Sequence, residues 1–293
     1  MAKAMVGIIG GSGMGDVLAS TEGKAERVRT PFGEPSDRIV LAAWHGTDIA
    51  ILNRHGPGHT LSPSSVNYRA NIYALKALGC THVISSGAVG SLREEIRPRD
   101  LVIPDQVIDR TSRRATTFFE QHFTAHVEMA LPFCPVLRAH LLACADGVAA
   151  RVHDRGTYVC MEGPAFSTRA ESEVHRSWGG DLIGMTCMPE AKLAREAELA
   201  YAMVCLPSDY DCWRPAPGAL DKHELLKEII GHLSHASRNA VELIQVALNR
   251  FAAIADKPSP AHGALELAIW TDRKLIDVPA AKKAYGVLVE KYM

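Results

Sequence analysis

Short apolar runs alternate along this chain with glycine-bearing polar loops and with longer stretches of helical periodicity, the pattern of an α/β fold. Val6 to Ile9 predicts the first strand, and Ile39 to Ala43 and Ile49 to Leu52 predict two more, joined around Gly46 and Thr47. Ser62 caps a predicted helix with Pro63 in its first turn; Val66, Ile72, Tyr73, Leu75 and Leu78 form its apolar face and Gly79 ends it. His82 to Ser86, Leu101 to Pro104, Gln106 to Asp109 and Thr157 to Met161 read as further strands, and Pro135 to Val152 as a helix. Thr111 to Leu131 is irregular and aromatic, with the character of a lid or a subunit contact. A helix follows from about Thr168, and Pro189 suits the first turn of another, with Glu190 and Glu196 toward its positive end. Ala202 to Leu206 is an apolar run stopped by Pro207, as in a strand covered on both faces. Lys222 to Ala253 predicts a long helix, Ala255 to Gly263 a proline-rich break, and Ala264 to Met293 one or two amphipathic helices. A single α/β domain over 1–253 is expected, with 254–293 as a helical extension packed on it or on a neighbouring subunit.

Composition narrows the class. Hydrophobic residues make up 47% and charged residues 22% of the 293, ordinary for a soluble globular protein, and no apolar stretch reaches membrane-spanning length. A formal net charge of −1, without a basic stripe, argues against a nucleic-acid binder. The opening MAKAMVGIIGG runs directly into a glycine turn and is read as a strand, not a secretion signal. An odd 7 cysteines scattered through apolar segments point to a reduced, cytoplasmic protein, with Cys144, Cys160 and Cys205 as core fillers.

Candidate chemistry collects at the predicted strand ends. Gly10, Gly11, Ser12, Gly13 and Gly15 follow the first strand, and their amides and hydroxyl suit an anion, a tight turn being the alternative. Neither a dinucleotide fingerprint nor a Walker A loop is present, since Ser12 and Asp16 break the spacings. In Asn53 to His59, Arg54 can grip a phosphate with two parallel hydrogen bonds and His55 can add another. His55 and His59 have zinc-ligand spacing, but a third ligand is lacking nearby. Gly87 to Ser91 is a third small-residue loop, so a phosphate cradle built from several strand ends is the expectation. Ser208, Asp209, Asp211 and Trp213 lie just past a strand, where α/β sheets place ligands and two carboxylates suit a nitrogen-rich flat molecule; a solvated turn is the bland alternative. Phe166 suits either stacking on an aromatic ligand or a place in the core.

Taken together, GGSG, NRHGPGH, SVNYRANI, GSLREEI, MEGPAFSTRAE, GMTCMPEA and SDYDCW resemble the motifs of the trimeric nucleoside phosphorylases, in order from about Val6 to Trp213. The resemblance is strongest to the branch acting on methylthioadenosine. It implies a nucleoside phosphorylase-like fold, a mixed central sheet flanked by helices, in a homotrimer. It also implies attack of inorganic phosphate on a purine nucleoside, a 6-aminopurine in particular, as a pentosyltransferase with no cofactor, metal or protein nucleophile. Residue by residue it assigns Ser12, Arg54, His55, Gly87, Ala88 and Thr186 to phosphate, Met185 to the sugar, Phe166 and Ser167 to the base, and Asp209 and Asp211 to reading and activating its edge. His223 aligns with a residue holding a 5′-hydroxyl, which leaves adenosine open, and His126 with one reaching a neighbour's site. A 6-oxopurine or methylthioinosine enzyme, a hydrolase and a purine nucleoside-binding protein are the alternatives. Gly87, Gly184 and Ala165 stand where the family usually has threonine, asparagine and arginine.

Overall fold

A computed structural model describes residues 5–14, 21–214 and 221–293; Gly15 and Asp16 of the glycine turn lie outside the described residues. The strands β1 (Met5–Gly10), β2 (Lys24–Glu26), β3 (Ile39–Trp44), β4 (Thr47–Asn53) and β5 (Cys80–Ser91) are followed by β6 (Leu101–Val102), β7 (Gln106–Asp109), β8 (Val152–His153), β9 (Thr157–Cys160), β10 (Leu182–Gly184) and β11 (Ala200–Asp209). Among the described residues they form one 11-stranded mixed sheet in the order β2-β3-β4-β1-β5-β10-β9-β7, with β11 branching from β5, β6 pairing with β11 and β8 with β6. The helices are α1 (Tyr68–Ala77), α2 (Pro135–Ala143), α3 (Arg169–Ser177), α4 (Cys187–Glu196), α5 (Lys222–Asn249) and α6 (Val278–Tyr285). Among the described residues no helix is long and apolar enough to cross a membrane.

The alternation of side chains along a strand divides the core. From β11, Tyr201, Met203 and Cys205 join the layer under α1, α4 and the residues from Leu265 to Val289. Ala200, Ala202, Val204 and Leu206 join the layer under α2 and α5. The strand is therefore covered on both faces, as its apolar run predicts. Cys144, Cys160 and Cys205 are buried and unpaired.

Long strand β5 creates the functional gap. β11 pairs along one edge from His82 to Gly90. The other edge carries parallel β1 as far as Ser85 and antiparallel β10 from Gly90 onward. Ser86 to Val89 lie between these two partners, so their backbone groups on that edge are left to other ligands.

Several elements differ from the sequence reading. β5 continues through Gly87 because β11 pairs with it from His82 to Gly90, and β11 passes through Pro207 at a register shift, a place where a strand tolerates proline. α1 begins at Tyr68, capped by the Asn67 side chain accepting from Ala70 N (3.2 Å); Ser62 to Ser65 form a separate turn in which Ser65 N donates to Ser62 O. α2 ends at Ala143, before the poor helix formers Asp146 and Gly147. Past Ala264 there is one α-helix, α6, with short 3₁₀ turns, within the expected one or two. Its Tyr285 packs on Phe119 and Phe123 of the irregular 111–131 segment.

Glu196 is the last residue of α4 and so sits at its negative end, contrary to expectation. Its carboxylate accepts from Thr117 Oγ1 and Phe118 N, both at 2.7 Å. Burial pushes its pKa up to about 7 from 4.5, against those two hydrogen bonds. The folded state therefore holds the proton more tightly than the unfolded chain, and the stability so gained is present below pH 4.5 and lost as pH rises through 7. Urea titrations should show Glu196→Gln gaining on the wild type by on the order of 2 kcal/mol between pH 5 and 8. A pH-independent difference would contradict this assignment.

Candidate active site

Arg54 follows β4 directly and is completely buried. Its Nε and Nη2 donate to the two oxygens of buried Glu190 (2.8 and 3.0 Å), Nη2 also reaches Ser85 Oγ (2.5 Å), and Nη1 donates to Ser86 O (2.9 Å). Glu190 accepts in addition from Ser85 Oγ (2.6 Å) and Tyr201 OH (2.8 Å). Burial alone would lower the Arg54 pKa, but the Glu190 charge and hydrogen bonds outweigh it and hold the guanidinium charged. The expected two-bond grip on phosphate is thus taken up by Glu190. Among the described residues, one Nη1 hydrogen is left without a partner.

That nitrogen faces the gap in the sheet. A Cβ added at Gly11 would lie 2.6 Å from it, and one at Gly87 would lie 4.0 Å away. Glycine at 11 is therefore required by the close passage of the β1 turn over the guanidinium. Ser12, Arg54, His55, Gly87, Ala88 and Thr186 all line one wall of a single cavity of about 1320 Å³. The room exceeds that of a typical small-molecule site.

His55 donates from Nδ1 to Leu61 O (2.8 Å), and burial followed by the Arg54 charge pushes its pKa down to about 4. The neutral ring then offers Nε2 as an acceptor, suited to a protonated oxygen of an anion. His59 stacks on it (4.2 Å between centroids), and among the described residues no group of three side chains able to hold a metal includes them.

The carboxylate part of the lining is polar and built differently. Ser208 Oγ donates to Asp209 Oδ1 (2.7 Å), and Asp211 N donates to Asp209 Oδ2 (3.1 Å). Asp211 has φ of 50°, in the left-handed region, which folds it back over Asp209. Its Oδ2 accepts from Ser172 Oγ of α3 (2.5 Å), and Cys212 Sγ donates to Ser167 O (3.3 Å). Burial, opposed by the Ser208 bond and helped by the Asp211 charge, raises the pKa of Asp209. Phe166, 85% exposed, stands at this end.

The sequence model of the phosphorylase superfamily matches residues 5–249. The chain belongs to that superfamily. Over 99% of its length it is 46% identical to S-methyl-5′-thioadenosine phosphorylase of Gloeobacter violaceus, covering 96% of that protein. It is 47% identical to the enzyme of that name from Geobacter sulfurreducens, covering 99% of this chain and 100% of the other. A crystal structure of methylthioadenosine phosphorylase from an antarctic soil metagenomic library superposes with a TM-score of 0.86 at 45% identity, covering 98% and 99% of the two chains. Methylthioadenosine phosphorylase from Schistosoma mansoni in complex with adenine gives 0.78 at 37%, covering 86% and 93%.

In this phosphorylase the cavity brings together all the residues to which the family resemblance gives a role except two. His223 is exposed at the start of α5, and His126 is exposed and packs on Trp270 (4.9 Å); neither lines the cavity of its own chain. Instead Leu225, Glu228, Ile229, His232 and Leu233 of α5 line it, and His232 Nδ1 donates to Ser208 O (3.0 Å). Their helical spacing is visible in the sequence; which face turns to the site is not. The two unusual glycines are filled from beneath. A Cβ at Gly184 would meet Tyr158 OH at 2.0 Å, and one at Gly87 would meet Met203 Cε at 2.9 Å.

Breaking the buried pair from one side leaves an uncompensated charge, so Glu190→Gln should cost about 3–5 kcal/mol in urea unfolding. The double variant Arg54→Met/Glu190→Met should recover most of it. A cost below about 1 kcal/mol for Glu190→Gln, a level usual for an exposed pair, would contradict the role given to the pair.

Proposed function

We propose that the chain catalyses phosphorolysis of S-methyl-5′-thioadenosine, giving adenine and 5-methylthioribose 1-phosphate. The observation that carries this reading is the presence, in one cavity, of an anion wall made by Ser12, Arg54, His55 and Thr186 and a carboxylate wall made by Asp209 and Asp211. Phosphate lies on the first wall, contacted by Gly87 and Ala88 of the free β5 edge. Phe166 lies along the purine, Ser167, Asp209 and Asp211 read its edge, and Met185 packs on the sugar. As phosphate attacks the anomeric carbon, the C–N bond pair moves onto the purine while positive charge builds on the sugar, as in glycoside cleavage. Asp209, whose pKa is raised by burial, supplies a proton toward the ring nitrogen that gains charge. Asp211 accepts from the 6-amino group, its lone pairs oriented by Ser172.

The apolar side chains of Leu225, Ile229 and Leu233 at the cavity wall favour a methylthio group over a hydroxyl, and His223 is not among the residues that line the cavity. Phosphate is a co-substrate and no other cofactor takes part. A homotrimer follows from the family reading, supported by the exposed apolar surface of Leu267, Trp270 and Leu275 beside His126, which we assign to a neighbour's site. Free cysteines support a cytoplasmic location.

Base release from methylthioadenosine, adenosine and methylthioinosine tests the substrate assignment. Methylthioadenosine should have the highest kcat/KM, and Asp209→Asn should lower it roughly 10²–10⁴-fold. A preference for methylthioinosine, or an unaffected Asp209→Asn variant, would overturn the reading. Thr186→Ala should raise the KM for phosphate roughly 10-fold or more, the worth of a hydrogen bond to a charged group. This variant tests the anion wall without orphaning Glu190, as Arg54→Ala would.

A further inference from the structure

The irregular segment 111–131 contains one side chain that the reading above leaves unused. Arg114 is 2% exposed and stands between the purine-side loop and the phosphate-side loop. Its Nη2 donates to the carbonyl oxygen of Glu162 (2.6 Å) and, at 3.5 Å, to that of Met161. Its Nη1 donates to the carbonyls of Met185 and Met188, both at 2.6 Å, and Nε donates to Glu162 Oε1 (3.2 Å). Met161 and Glu162 are the root of the loop that presents Phe166 and Ser167. Met185 and Met188 flank Thr186. Met188 has non-helical φ/ψ (φ −112°, ψ 138°) at the start of α4.

Two further contacts fix this guanidinium. Glu162 is held as a carboxylate, its pKa pushed down to about 2: burial works against this but is outweighed by Ser64 Oγ, Ser112 N, Arg113 N and Arg114. Tyr68 lies under the guanidinium at 5.6 Å and accepts from Nη1 at 3.3 Å. The two loops are also in direct contact, since a Cβ on Gly163 would lie 2.5 Å from Met185 Sδ.

We propose that Arg114 is a positioning residue that sets the distance between the bound purine nucleoside and the attacking phosphate, an inference that rests on the reading of the cavity given above. One loop carries the purine contacts Phe166 and Ser167 and the other the sugar and phosphate contacts Met185 and Thr186, and a planar fork with five donors can hold both loops where a single ammonium cannot. Loss of the fork leaves both half-sites present but misplaced relative to one another. The consequence falls on kcat, where a displacement near 1 Å costs roughly 10²-fold, and much less on KM.

Arg114→Lys and Arg114→Ala test this, with steady-state kinetics on methylthioadenosine and phosphate and with amide hydrogen exchange of residues 161–167 and 185–188. Arg114→Lys should lose roughly 10²-fold in kcat with KM values changed by less than about 3-fold, and added guanidinium ion should restore part of the kcat of Arg114→Ala. Exchange should rise in both loops together. Wild-type kcat in a folded variant, or faster exchange in one loop alone, would overturn the proposal. If Arg114→Ala does not fold, Arg114→Lys decides. Should the wild type fail to cleave methylthioadenosine, the substrate reading fails, and the exchange experiment by itself still decides whether Arg114 locks the loops.

Discussion

A buried ion pair between Arg54 and Glu190 is the constraint on which the site depends. Taking two charges out of water costs several kcal/mol per ion, recovered only with near-complete hydrogen bonding. Here the pair draws its partners from different parts of the fold: Ser85 and Ser86 from β5, Tyr201 from β11, and Glu190 itself from α4. Those elements cannot shift independently without stranding a charge. The same arrangement leaves one guanidinium N–H facing the gap between β1 and β10, so the structural pair and the anion wall are one feature.

The two walls of the cavity are held by different means. The anion wall is strand ends, a free sheet edge and a buried guanidinium, all fixed by the core. The carboxylate wall lies at the last residues of β11 and the turn after it, where Asp209 and Asp211 are oriented by Ser208, by the left-handed turn at Asp211 and by Ser172 of α3. Catalysis of this type asks little covalent work of the protein and much of its geometry. The links between the walls therefore matter as much as the walls, and Arg114 is the clearest of these links.

Much of this was legible in the chain because it is local. Glycines after β1, the Arg54–His55 pair after β4 and the Asp209–Asp211 pair at the end of β11 each announce a strand end with a chemical purpose. Pairings across long separations carry no such signal: Glu190 reads as an ordinary helix residue, and nothing near it indicates a partner 136 positions away. β5 and β11 run on through Gly87 and Pro207 because neighbouring strands support them, which overrides the local breaking tendency of those residues. Gly184 makes sense only once the Tyr158 hydroxyl is seen in the space its side chain would need. α5 reads as a helix, but its site-facing residues depend on how it packs: Leu225, Glu228, Ile229, His232 and Leu233 line the cavity, and His223 does not.

The central claim is that phosphate, held against the Arg54 wall, is the group that displaces the base. Phosphorus NMR of the purified protein with methylthioadenosine and phosphate tests it most directly. The account predicts that 5-methylthioribose 1-phosphate appears in step with adenine and that no adenine forms without phosphate. Adenine released alongside free methylthioribose, at a rate indifferent to phosphate, would contradict it.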